Sequence, residues 1–186
     1  MKWSRYVCAA TTSGSVNFLD PITFSLVKTW KAHSASIVDM DAQNDFVVTC
    51  GCSFRQGSFT LDHLVNVFDL KNMAPASPIP FPPGPKFARL LPRMSTTSIV
   101  ISMYGQIHVV DLMNPNTSNV KQANVLSQLT KVEIAPSGEA MAMADLECNV
   151  HLWGSPARIR FAELSNPVEL ADPEETHEHI EWTVDT

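Results

Sequence analysis

Leu129 to Gly154, LTKVEIAPSGEAMAMADLECNVHLWG, reads as three antiparallel strands joined by two turns of explicit chemistry. Val132, Ile134 and Ala135 form a short apolar run. Pro136-Ser137-Gly138 then supplies a turn, proline presetting φ and glycine free to take φ > 0. A second run, Ala140 to Ala144, turns at Asp145-Leu146-Glu147, and Asn149-Val150-His151-Leu152-Trp153 alternates polar and apolar residues. A period of two specifies strand.

The third strand recurs along the chain. Val16-Asn17-Phe18-Leu19-Asp20, Val65-Asn66-Val67-Phe68-Asp69, Ile107-His108-Val109-Val110-Asp111 and Val150-His151-Leu152-Trp153-Gly154 share one pattern, and their last residues lie 49, 42 and 43 residues apart. A period of ~40 to 45 with four strands per unit is that of a propeller blade.

These residues resemble the WD-repeat family, whose blades carry a Gly-His dipeptide early and a Trp-Asp dipeptide at the end of the third strand. Ala32-His33 stands at the first place, Phe68-Asp69 and Trp153-Gly154 at the second, and Asp145 at the turn before a third strand. His33, Asp69, Asp111, Asp145 and Trp153 are thus the candidate structural blade positions. The matching histidine in WD-repeat blades joins a network with a turn Asp, a Ser or Thr and the third-strand Trp. Phe68 replaces that Trp, so the resemblance implies an incomplete network in this blade.

VNVFDLK, IPFPPGP, RMSTT, GQIHVVDLMNPNT and FAELSNPVELAD extend the likeness. Together they resemble the propeller of the catalytic subunits of the poly(A)-specific deadenylase complex, over most of residues 5–172. The resemblance implies the later part of that propeller, without the C-terminal nuclease domain. It implies work as a non-catalytic scaffold in mRNA poly(A)-tail shortening, in the cytoplasm and its P-bodies. The partners implied are a regulatory pseudokinase-containing subunit, the missing propeller blades and, indirectly, poly(A)-binding protein with poly(A) mRNA.

The expected fold is therefore all-β, a partial WD-repeat β-propeller of about four blades over residues 1–165, followed by an acidic tail over 166–186. The first blade would use Arg5–Ala10, Ser15–Asp20 and Leu26–Lys31, with its opening strand missing. The second blade carries an insertion, Gly51 to His63, too polar and glycine-bearing to be strand throughout. Seven of the 13 prolines lie between Pro75 and Pro92, which assigns that stretch to an outer edge strand and a connection, because proline cannot donate to a sheet ladder. Tyr104-Gly105 marks a hairpin turn, Asn114-Pro115-Asn116 a loop, and Arg158-Ile159-Arg160-Phe161 the last strand of the fourth blade.

Charge separates body from tail. Residues 161–186 hold eight acids and no Lys or Arg, while residues 1–160 hold all 13 Lys and Arg against 11 acids. A body of +2 argues against tight non-specific binding to DNA or RNA, since that affinity comes from neutralised phosphates. No apolar run approaches the ~20 residues that span a bilayer, so no membrane partner is expected. Ile180 and Trp182 are isolated apolar residues in the acidic tail and are candidate partner contacts.

No catalytic, cofactor or metal residue is assigned. Asp145-Leu146-Glu147 has the form of a nuclease Asp-x-Glu, but two-metal catalysis needs further carboxylates converging from other elements. Cys50-Gly51-Cys52 with His33 or His63 lacks the spacing and the second pair of a zinc site, and Cys8, Cys50, Cys52 and Cys148 read as free thiols. Two other function classes stay open: a WD-repeat adaptor of an unrelated complex, and an RNA-binding propeller using Arg89, Arg93 and Phe87 as a basic-aromatic patch.

Overall fold

A computed structural model describes residues 2–55 and 57–154. All its regular elements are strands, arranged in four antiparallel sheets that follow one another along the chain. The first sheet contains β1 (Lys2–Trp3), β2 (Val7–Ala10), β3 (Ser15–Leu19) and β4 (Leu26–Lys31), paired in that order. The second is built on β5 (Ile37–Gln43), β6 (Phe46–Arg55), β8 (Leu64–Asp69) and β10 (Ile79–Pro80), with β7 (Ser58–Leu61) on β6 and β9 (Ala74–Pro75) on β8. The third contains β11 (Pro85–Leu90), β12 (Thr97–Ser102), β13 (Gln106–Asp111) and β14 (Asn114–Gln122). The fourth contains β15 (Leu129–Ile134), β16 (Ala140–Asp145) and β17 (Val150–Gly154).

The first strands of neighbouring sheets, β5 against β11 and β11 against β15, touch one another. That places them nearest a common axis and the last strands outermost, the arrangement of propeller blades. Alternation does the sorting. In β3, Val16 and Phe18 are buried between half-buried neighbours, and in β16 Met141, Met143 and Asp145 are buried in the same rhythm. Each buried face meets the next sheet. Cys8, Val16 and Phe18 pack against Val47, Phe68 and Leu70. Val48, Val65 and Ile79 pack against Ala88, Val100 and Val110. Phe87, Ile101 and Ile107 pack against Leu129, Val132 and Met143. The first and fourth sheets share no such core among the described residues, so the sheets form an open, partial propeller.

Three expectations change. The opening strand of the first blade is abbreviated rather than missing, since Lys2 and Trp3 pair with Cys8 and Val7. The insertion after Gly51 is strand for most of its length. β6 runs on to Arg55 and pairs with β7 from Cys52↔Leu61 to Arg55↔Ser58, because Phe54, Phe59 and Thr60 suit a strand and outweigh the polar residues around them. Asn114-Pro115-Asn116 lies in β14 rather than in a loop: the turn is Leu112-Met113, and an outermost strand tolerates a residue without an N–H. The proline-rich stretch supplies the outer strand β10, as its composition predicts. The strand placed at 158–161, the 165/166 boundary, the acidic tail, Ile180 and Trp182 lie outside the described residues.

Candidate functional site

The loop from β4 brings His33 under the second sheet. Its side chain is fully buried, with Nδ1 2.6 Å from Asp62 Oδ2 and Nε2 3.0 Å from Thr49 Oγ1. A carboxylate can only accept, so Nδ1–H donates to Asp62, and Nε2 shares the second bond with the Thr49 hydroxyl. Ser53 Oγ donates to the other oxygen of Asp62. The network therefore joins the loop before β5, the centre of β6 and the turn before β8. Phe68, at the place of the family's tryptophan, does not join it. Its ring packs between the sheets, 4.6 Å from Phe18 and 5.1 Å from Trp30.

Gly51 completes this site by what it lacks. A Cβ there would come within 2.3 Å of His33 Cγ, so the imidazole rests directly on the β6 backbone. Cys50-Gly51-Cys52 is thus a seat for a ring. His33 has both nitrogens engaged, and His63 Nδ1 donates to the Pro82 carbonyl at 2.8 Å. Among the described residues no three of His, Cys, Asp and Glu converge as a metal site requires. Burial pushes the Cys8 thiol up to about 11 and the Cys50 thiol well above its ordinary value.

The repeat-end aspartates share one task. Asp69 Oδ1 accepts from the N–H groups of Lys71 and Asn72, and Asp111 Oδ1 from that of Met113. Asp20 does the same for Ile22 and Thr23. Each carboxylate fixes the turn that leaves the third strand. Asp145 fixes the turn that enters one: it accepts from the backbone N–H groups of Glu147 and Asn149, and from His151 Nε2–H at 3.0 Å. Both oxygens of Asp145 are thus engaged in ordering the turn. Trp153 lies on β17, half buried against the third core.

Near the axis a chain of charge crosses three sheets. Arg89 on β11 pairs with Asp39 on β5, and its Nη2 lies 3.8 Å from Glu133 on β15. Asp39 also accepts the Ala88 N–H and Asp41 the Leu90 N–H. This takes Arg89 and Phe87 out of the basic-aromatic patch of the alternative RNA-binding reading, while Arg93 is exposed. Arg89 is 5% and Phe87 6% exposed, the first held by carboxylates and the second in the core, because both lie on a strand covered on two sides. Sequence reasoning also missed Asp62, although it stands before β8 as Asp145 stands before β17. Asp39 and Asp41 carried a signal too, two acids at a spacing of two within an apolar strand.

Comparison with known proteins agrees with this architecture. Residues 1–154 match the family described as PAN2 N-terminal. The PAN2-PAN3 deadenylation complex catalytic subunit PAN2 of Chaetomium globosum is 58% identical over 98% of this chain, and that of Chaetomium thermophilum 54% identical over 100%. The chain spans only 17% and 16% of those two relatives. The solved Neurospora crassa Pan2 WD40 domain is 49% identical, with a TM-score of 0.80 over 87% of this chain and 51% of that one. The Cps50 (Swd1) β-propeller domain of Myceliophteria thermophila, at 14% identity and a TM-score of 0.63 over 80% of this chain and 48% of that one, shares the fold. By its match over residues 1–154 and its blade geometry, this chain belongs to the PAN2 N-terminal family.

Proposed function

We propose that this chain supplies later blades to the propeller of a PAN2-type subunit and acts there as a non-catalytic scaffold for protein contacts during poly(A)-tail shortening. The observation that carries this reading is the 58% identity to a PAN2-PAN3 complex catalytic subunit, joined to blades whose buried polar groups are spent on turns and inter-strand links. The partners are a PAN3-type regulatory subunit containing a pseudokinase and, through it, poly(A)-binding protein on the message. The site of action is the cytoplasm.

The test is made in the intact subunit. His33→Ala with Asp62→Ala loosens the second blade and is expected to weaken capture of the regulatory subunit and shortening of protein-coated tails, while hydrolysis of naked poly(A) continues. Parallel loss of both activities would sink the scaffold reading. So would poly(A) hydrolysis by the purified chain, with magnesium or manganese, that disappears in Asp145→Ala.

A further inference from the structure

The second sheet carries more chain than its blade needs. In the first, third and fourth sheets the turn into the third strand is tight: Gly14, Gly105 and Cys148 donate their N–H groups to the carbonyls of Thr11, Ser102 and Asp145, with two residues between. Asp62 donates to Gly51 in the same way, but residues 52–61 stand between, most of them in the β6–β7 hairpin. Alternation puts Cys52, Phe54, Phe59 and Leu61 on one face of the hairpin and Ser53, Arg55, Ser58 and Thr60 on the other. Phe54 and Phe59 meet edge to face 5.1 Å apart, yet stay 58% and 69% exposed. At the base Leu61 lies against Gly84, where an added Cβ would come within 3.5 Å of it, and His63 Nδ1 donates to the Pro82 carbonyl. The aromatic face therefore runs on into the connection Pro82-Pro83-Gly84-Pro85-Lys86.

The charge around this face is positive. From Phe46 to Lys86 the sequence holds two acids, Asp62 and Asp69. Asp62 has its oxygens engaged by His33 and Ser53, and Asp69 stands at the far end of the sheet, paired with Phe46. Arg55 and His63 are exposed and Lys86 is half-buried. We propose that the β6–β7 hairpin binds single-stranded RNA, with a base stacked on the Phe54 or Phe59 ring and phosphates drawn to Arg55 near the tip and to Lys86 beyond the base. Open aromatic rings beside cations, with the nearest carboxylate already engaged, match an anionic chain of flat, stackable groups. A two-stranded ribbon has no walls to enclose the apolar side chain of an acidic peptide, whereas a base needs one open ring face. A duplex keeps its bases inside and offers none. Two cations neutralise few phosphates, so binding is moderate and indifferent to base identity, in keeping with the small net charge of residues 1–160.

This inference does not depend on the scaffold reading, since neither a regulatory subunit nor a nuclease enters its test. Fluorescence anisotropy with a labelled oligo(A) is expected to show binding to the full chain. Phe54→Leu with Phe59→Leu, which keeps the hairpin apolar but removes both rings, should weaken it roughly ten-fold, and Phe59→Trp in place of Phe59→Leu should restore it. Arg55→Ala should lower the logarithmic salt slope by about 0.7. Ultraviolet cross-linking of the parent complex should place the adduct on Phe54 or Phe59, a readout that needs no variant to fold. Oligo(U) should compete as oligo(A) does, and duplex RNA and poly-glutamate far less. Absence of binding, unchanged affinity in the double leucine variant or cross-links confined to other residues would overturn the proposal. Displacement by poly-glutamate as effective as by oligo(U) would assign the face to an acidic protein segment and reject RNA.

Discussion

His33 shows how one residue is fixed by three constraints at once: a carboxylate at Nδ1, a hydroxyl at Nε2 and bare backbone under the ring face. Replacement by Phe keeps the volume but leaves Asp62 and Thr49 without their partner, and a buried group left unpaired costs ~1 to 3 kcal/mol. Urea unfolding of His33→Phe should show a loss of that order, with the larger share restored when Asp62 and Thr49 are also made apolar. Gly51→Ala tests the third constraint, since the added methyl must displace the imidazole, and overpacking costs ~1 to 3 kcal/mol. His33 was legible because it follows Ala32 in a Gly-His place. Asp62 was not, because a lone acid in a polar insertion has no period to mark it, and only the fold brings it to the ring. The thiols divide by burial. Native protein should react quickly with a thiol reagent at exposed Cys148, whereas Cys8 and Cys50, buried and held away from the thiolate form, should react only on unfolding.

At the scale of elements, the turn from Asp145 to Asn149 makes the fourth sheet sensitive to acid. The His151 Nε2–H bond, helped by the Asn149 and Glu147 N–H groups and opposed by burial, holds the Asp145 carboxyl below its usual range. A depressed carboxyl contributes stability that is complete above the ordinary value of ~3.9 and fades as pH falls through the lowered folded value. Stability should therefore drop on acidification below that range, and Asp145→Asn should be weaker at neutral pH yet lose part of the acid dependence. Amide exchange at Glu147 and Asn149 as a function of pH checks both. Strands such as β3 and β16 were legible because alternation and turn residues coincide. β14 and the β6–β7 hairpin were not. In β14, Asn and Pro signal a turn, but an outermost strand needs only one ladder, and its pairing to β13 from Val109↔Asn119 to Gln106↔Gln122 carries it. In the hairpin, Phe54 and Phe59 are cross-strand partners 5.1 Å apart, a pairing that composition alone does not reveal.

For the whole molecule the repeat spacing was the decisive signal, since units of 49, 42 and 43 residues fix blades before any contact is known. What spacing does not show is which sheet faces are covered. On β17, Trp153 turns toward the third sheet, so Val150 and Leu152 turn the other way, where they are 71% and 52% exposed. Their cross-strand partners on β16 are Ala144 and Ala142, which makes the outward face of the fourth sheet apolar over two strands. Exposed apolar residues also stand on β4, Leu26 and Val27, and on the β6–β7 hairpin, Phe54 and Phe59, and an uncovered apolar face favours association. The isolated chain should therefore self-associate, and sedimentation velocity should show the weight-average size rising with concentration. Leu152→Lys places an ammonium on that face without touching a buried core. It should disperse the association while leaving the thermal transition near that of the parent. A parent chain that sediments as a monomer at every concentration and melts in one sharp transition would mean that the fourth sheet needs no neighbour, and its placement before a further blade would be wrong.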